Sequence, residues 1–212
     1  MFTGLIEATG TIETIEQIAS GRILRVATPI GAELREGDSI AVNGVCLTAT
    51  AVDPKGFSAV VSPETLRVTS FGDVRPDGLV NLERPLRADG RLGGHFVLGH
   101  VDAVGRITEL RRDGDCYWLE IEFPADLAPL LVSKGSIAVD GVSLTIASLA
   151  GARCGIQIVP HTRSHTALRE ARAGDAVNLE ADVIGKYVAR LIDAHLNQAS
   201  HVGALAPGGR TV

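Results

Sequence analysis

Aromatic side chains are scarce. The 212-residue chain has five Phe, two Tyr and one Trp, and a single Met. A core built from so few rings must rest on branched aliphatics, and Gly and Val are indeed abundant. No apolar run approaches the roughly 20 residues of a membrane-spanning helix, which argues against a membrane partner. Lys and Arg do not cluster and the net charge is −5, which argues against nucleic acid. The start, MFTGLIEATG, lacks the basic segment and long apolar stretch of a signal peptide. The three cysteines, Cys46, Cys116 and Cys154, have neither CxxC spacing nor a disulfide framework. A reduced, cytoplasmic protein is expected. Histidine spacing also excludes a metal site: His95 and His100 have no acidic or sulfur ligand at suitable distance along the chain.

The chain does contain a repeat. Residues 39–50 read SIAVNGVCLTAT and residues 136–147 read SIAVDGVSLTIA, with eight of twelve positions identical. TGLIEATGTI at 3–12 aligns with LGHVDAVGRI at 98–107, an offset of 95. The hairpin pair, SPETL at 62–66 against VPHTR at 159–163, and GLVNLE at 78–83 against DAVNLE at 175–180 align at an offset of 97. One two-residue slip after Pro29 and Pro124 reconciles them all. A co-linear match over some ninety residues predicts two homologous domains, 1–95 and 96–192, with the second running into a C-terminal helix.

Each repeat reads as β. Two apolar, β-branched runs around Asn-Gly or Asp-Gly are a strong short hairpin signal. Strands at 57–61 and 80–83 recur at 155–159 and 177–180. About six strands in ninety residues suit a closed small barrel, which removes sheet edges. The expected fold is all-β: two tandem six-stranded, Greek-key-like barrels followed by a C-terminal helix. Short helical turns are expected at PETL and over 126–135. From Asp182 onward, Ile184, Tyr187, Val188, Leu191, Ile192 and Leu196 form a helical stripe with Asp182 as its cap. Neither barrel needs that stripe, so residues 183–199 are expected to form an oligomer contact, and 200–212 a Gly/Pro-rich flexible tail.

MFTGLIE, GGHFVLGHVD at 93–102, VDGVSLTI at 139–146, IVPHT at 158–162 and DVIGKYVARL at 182–191 together resemble riboflavin synthase of the alpha-chain type, with its tandem lumazine-binding repeats. The resemblance runs from residue 1 to about 196. It implies a transferase that dismutates two molecules of 6,7-dimethyl-8-ribityllumazine by moving a four-carbon unit, giving riboflavin and 5-amino-6-ribitylamino-2,4-pyrimidinedione. No redox cofactor or metal takes part. It also implies a homotrimer joined through the C-terminal helices, with each active site between the N-barrel of one subunit and the C-barrel of the next. Lumazine synthase is admitted as a further partner. Such a reaction explains the doubling, because donor and acceptor are the same compound and need two like sites.

The resemblance also marks residues. Ser143 matches the hydroxyl at the reacting end of the C-barrel ligand, and could add to C7 or activate water. Cys46, its repeat partner, matches a residue lining the N-barrel pocket; a strand cysteine is otherwise an inert core residue. His100 is a candidate proton carrier, since imidazole titrates near neutrality. Asp182 approaches the site near Ser143 or simply caps the helix. Asp140 is a candidate acid, although turn chemistry alone selects Asp there. Ser39, Leu47 and Thr48, with Leu144 and Thr145, complete the hairpin surfaces. A pterin edge and a ribityl chain need many polar partners. Gly4, Leu5 and Ile6 with Val60, Val61, Ser62, Pro63, Glu64 and Thr65 are assigned to repeat one. Gly99, His100 and Val101 with Val159, Pro160, His161, Thr162, Arg163 and Ser164 are assigned to repeat two. Glu64 is expected to hold ribityl hydroxyls, with His161 in its place in the second barrel. Lys134 is a candidate carbonyl partner and Phe2 a lid, stacking ring or barrel-closing residue. His95 is read as structural.

Two other classes compete with this reading. A non-catalytic lumazine- or flavin-binding paralogue would have lost motifs in one repeat, whereas both repeats keep theirs. A flavin reductase module would carry an Arg-x-Tyr-Ser motif and a Gly-rich phosphate turn, and neither is present.

Overall fold

A computed structural model describes residues 1–203, with side chains through residue 196. The first repeat contributes β1 (Ala8–Ile18), β2 (Gly21–Ala27), β3 (Ser39–Val42), β4 (Val45–Asp53), β5 (Gly56–Val61) and β6 (Leu79–Glu83). The second contributes β7 (Ala103–Asp113), β8 (Cys116–Glu122), β9 (Ser136–Val139), β10 (Val142–Ala150), β11 (Arg153–Ile158) and β12 (Ala176–Ala181). All pairings are antiparallel, and each set closes on itself. The orders are β1-β2-β5-β4-β3-β6 and, with the same connectivity, β10-β11-β8-β7-β12-β9.

Side-chain alternation decides what each barrel encloses. Along β4, Val45, Leu47 and Ala49 are buried while Thr48 and Thr50 are exposed; along β10, Val142, Leu144 and Ile146 are buried and Thr145 is exposed. A strand's two-residue period puts Cys46 and Ser143 on the outer surfaces. The hairpins turn as Asn-Gly and Asp-Gly imply, with φ +44° and +74° at Asn43–Gly44 and +45° and +78° at Asp140–Gly141. Register breaks fall at equivalent places, Ile12/Thr14 and Ala49/Ala51 in one barrel and Ile107/Glu109 and Ile146/Ser148 in the other. Bulges there sharpen the bend that lets so few strands close. The two-residue slip lies around the 3-10 turns, Pro29–Glu33 in the first repeat and Ala125–Leu130 in the second.

Each barrel has its own core, one around Ile12, Leu24 and Phe57 and the other around Ile107, Leu119 and Ile121. The segments leading into the barrels cross over. Ile6 packs on the second barrel's core and Val101 on the first's. Where they cross, Phe2 and Val97 form an antiparallel bridge, with Phe2 N–H to Val97 O at 2.7 Å. Phe2 is fully buried with Ala41, Val97 and Ala138. It is therefore a wedge between the barrels, with Cys46 packed against it, and its ring is covered within the chain.

The hairpin tips meet back to back. A Cβ on Gly44 would stand 2.7 Å from the Gly141 nitrogen, so only glycine fits there. Asn81 Nδ2 donates to Asp140 O and Asn178 Nδ2 to Asn43 O, both at 2.9 Å. The turn side chains reciprocate: Asn43 Oδ1 accepts from Asn81 N at 2.7 Å and Asp140 Oδ1 from Asn178 N at 2.8 Å. Asp140 thus sits in the seam between domains. Burial pushes its carboxyl up to about 7, with neighbouring Asp175 adding to the shift and the Asn178 bond opposing it.

Among the described residues there are also three α-helices: α1 (Pro63–Val68), α2 (Pro160–His165) and α3 (Val183–Gly203). Asp182 Oδ1 accepts from Ile184 N at 3.0 Å, capping α3. Ile184, Tyr187, Val188, Leu191 and Ile192 of α3 are all exposed. Of the tail expected at 200–212, residues 200–203 continue α3 and residues 204–212 lie outside the described residues. Among the described residues no helix is long and apolar enough to cross a membrane.

Candidate functional site

The outer face of each β-hairpin carries a small polar patch. On the first barrel Ser39 pairs with Thr48 and Ala41 with Cys46. On the second Ser136 pairs with Thr145 and Ala138 with Ser143. Each patch is bordered by a glycine of the other repeat. Cys46 N–H donates to Gly99 O at 3.0 Å, and Ser143 N–H donates to Gly4 O at 2.8 Å. Both glycines have positive φ, +80° and +77°, and an added Cβ would lie 2.6 Å from the Cβ of Cys46 or Ser143.

Buried carboxylates fix these bordering segments. Glu83 Oε1 accepts from Thr3 N (2.6 Å) and Thr3 Oγ1 (2.7 Å), and Oε2 from Gly4 N (2.9 Å). Glu180 accepts from the N–H groups of Leu98 (2.7 Å), Gly99 (3.0 Å) and His100 (3.1 Å). Burial raises both carboxyl pKa values against the pull of those bonds. The chain therefore spends its two most enclosed glutamates on backbone geometry.

The surroundings of the two patches, each of which we read as one cup, then diverge. In the first, Val60 is exposed on β5, Ser62 caps α1 through Thr65 N–H, and Glu64 pairs with Arg67 at 2.6 Å. That guanidinium holds the Glu64 carboxyl below the usual range. In the second, His161 stacks on His165 with centroids 4.0 Å apart, and Arg163 lies over the Tyr117 ring at 5.3 Å. Ser164 Oγ donates to Pro160 O at 3.0 Å, closing the turn of α2. Beside this cup, Leu130, Val132, Ser136 and Asp182 help line a cavity of about 370 Å³ shared with Ile184 and Val188 of α3. Lys134 is exposed, with φ +66° in the turn before β9.

Ser143 has a partner that Cys46 lacks. Its Oγ is 2.7 Å from Nδ1 of His95, whose ring is buried. His95 is held by its N–H to Thr3 O at 3.1 Å. Burial lowers the imidazole pKa, with the charge of Asp182 opposing.

The structure brings Ser143, Thr145 and Gly4 together on one barrel and Cys46, Thr48, Ser39 and Gly99 on the other. Gly4 and Ile6 lie against the second barrel and Gly99 and Val101 against the first, because the leading segments cross. Leu47, Val61 and Leu144 turn into the cores, so they offer a ligand only backbone. His100 is exposed on the Gly99 segment. Asp140 stands apart, in the seam. Sequence reasoning passed over Ser136, Glu83 and Glu180, although the repeat marks Ser136 as the counterpart of Ser39 and repeats VNLE in both halves. His95 lies inside GGHFVLGHVD but has no partner in the repeat alignment, so nothing in the sequence distinguishes it from a packed histidine.

The chain matches the Lumazine binding domain family twice, over residues 3–85 and 98–182. It is 44% identical over 193 residues to riboflavin synthase of Bacillus subtilis, covering 91% of this chain and 90% of that one. It is 45% identical over 199 residues to riboflavin synthase of Mycobacterium tuberculosis, covering 91% and 98%. The chain belongs to the riboflavin synthase family. In the relative from Schizosaccharomyces pombe, also a riboflavin synthase, identity is 41% over 201 residues, covering 92% of this chain and 96% of that one. Crystal structures of LumP complexed with 6,7-dimethyl-8-(1'-D-ribityl) lumazine and with riboflavin share the fold, with TM-scores of 0.78 and 0.80 at 22% and 23% identity, each covering 85% of this chain and 99% of that chain. Each matched repeat of this riboflavin synthase family member contains one hairpin patch, and the match ends where α3 begins.

Proposed function

We propose that the chain is an active riboflavin synthase. It moves a four-carbon unit between two molecules of 6,7-dimethyl-8-ribityllumazine, giving riboflavin and 5-amino-6-ribitylamino-2,4-pyrimidinedione. The observation that carries this reading is the pair of equivalent polar hairpin faces, each bordered by the opposite repeat's glycine. Two like cups suit a reaction whose donor and acceptor are one compound. Holding both rings in reacting geometry can supply roughly 7–11 kcal/mol of a bimolecular barrier.

Within the cups, Ser143 is the hydroxyl at the reacting carbon and Cys46 lines the opposite ring. His100 carries a proton to or from the acidic C7 methyl, and Asp182 acts from the cap of α3. Gly4–Ile6, Val60–Thr65, Gly99–Val101 and Val159–Ser164 serve the pterin edge and ribityl chain, with Lys134 reaching a carbonyl. No cofactor or metal is needed. The exposed stripe of α3 supports a homotrimer in which the first barrel of one subunit faces the second barrel of the next, and the free cysteines suit the cytoplasm. Lumazine synthase is a partner consistent with this chemistry.

Incubation with 6,7-dimethyl-8-ribityllumazine alone tests the proposal. Riboflavin absorbance should grow without NAD(P)H. Lumazine that stays bound and unconverted would make the chain a non-catalytic carrier.

A further inference from the structure

His95 is the strongest feature that the function above does not use. Its ring is 6% exposed, and Nε2 is buried without a hydrogen-bond partner among the described residues. A ring kept only for packing would be apolar or satisfied at both nitrogens, because a buried polar atom without a partner destabilises the fold. Nδ1, by contrast, is 2.7 Å from Ser143 Oγ. Ser143 and His95 are both tied to one short backbone segment, Ser143 N–H to Gly4 O and His95 N–H to Thr3 O. Glu83 holds that segment. A Cβ on Gly94 would stand 2.1 Å from Thr3 O and 3.0 Å from Ser143 Oγ, so the glycine lets the imidazole come this close. Cys46, the repeat counterpart of Ser143, makes no side-chain hydrogen bond among the described residues.

We propose that His95 is a positioning residue for Ser143: neutral Nδ1 accepts the hydroxyl's hydrogen bond and so turns the oxygen lone pairs toward the lumazine in the second cup. This rests on the reading that Ser143 acts at the reacting carbon. It distinguishes the second barrel from the first, whose thiol has no such partner. It also gives the hydroxyl a pH-dependent polarity. A protonated imidazole can only donate, and then occupies a lone pair of Ser143 instead of orienting it. Burial pulls the ring below its ordinary 6.5, so the accepting form prevails at neutral pH. The charge acting on the ring is Asp182 at the head of α3. Glu83, on β6, is engaged by Thr3 and Gly4, and Lys186 of α3 is paired with Asp102 at 2.7 Å.

Turnover by full-length variants tests this, with binding of a ribityllumazine bearing oxygen in place of the C7 methyl, which cannot transfer carbon. His95→Ala should lower kcat by about tenfold while leaving affinity for that ligand within about twofold, since one hydrogen bond is lost. On a Ser143→Ala background it should cause no further loss, because both changes remove the same interaction. His95→Asn, whose amide oxygen can accept from Ser143, should recover most of the rate and lose the acid limb of kcat that protonation of His95, below its ordinary 6.5, predicts for the unmodified protein. Losses from His95→Ala and Ser143→Ala that multiply, or an acid limb unchanged in His95→Asn, would overturn the proposal. If His95→Ala does not fold, the His95→Asn profile decides alone. Full activity in Ser143→Ala would instead sink the underlying assignment of Ser143.

Discussion

At the scale of single residues, one chemical difference between the repeats has a consequence for stability. Asn43 and Asp140 fill the same turn position and each side chain accepts a backbone N–H from its own barrel, at the seam. Only Asp140 can acquire charge there. Its carboxyl is pushed from 3.8 to about 7, so its contribution is fully present below pH 3.8 and is lost as pH rises through about 7. Asp140→Asn copies the first repeat and removes the titration. It should raise Tm at pH 8 by about 2–4 °C, equivalent to about 1 kcal/mol in a chain of this size, and raise it by less at pH 5. Calorimetry at the two pH values checks this, and retained turnover would show that Asp140 acts in the seam and not in the chemistry. Gly99 provides a second residue-scale test. An alanine there would meet Cys46, so Gly99→Ala should destabilise the chain by about 1–3 kcal/mol and weaken ligand binding at the first barrel, although residue 99 belongs to the second repeat. Urea unfolding and ligand stoichiometry measure both effects. The sequence made Ser143 and Cys46 visible because duplication aligned them. It left His95 invisible because a lone histidine without a repeat partner carries no pattern.

At the scale of elements, the strands and hairpins were legible. Their two-residue alternation and Asn-Gly or Asp-Gly turns are local properties, and local properties survive in a sequence. The bulges were not, since a register shift is decided by barrel closure and leaves no fixed residue signature. α3 was legible as a stripe with an Asp cap. Its role can be tested by ending the chain after Ile184. This removes the exposed Tyr187, Val188, Leu191 and Ile192 and the Lys186–Asp102 ion pair, while both barrels keep their strands. Sedimentation should then show monomers, and turnover should fall at least a hundredfold, on the order of what lost alignment of two reactants costs. Ligand binding should remain within about threefold. A fully active monomer would contradict the placing of the active site between subunits.

At the scale of the whole molecule, the decisive feature is the crossing of the two leading segments, and the sequence did not reveal it. It is made by backbone hydrogen bonds, two glycines at positive φ and two buried glutamates, none of which has a periodicity to read. The crossing gives each barrel a cup that neither repeat could form by itself. It also makes the cups equivalent enough to hold the same molecule, which is the central claim. Titration calorimetry with the unreactive 7-oxo ribityllumazine measures that most directly. The account predicts two ligands bound per chain, with Gly99→Ala weakening one and Gly4→Ala the other. One ligand per chain, with the second cup closed to it, would contradict the account.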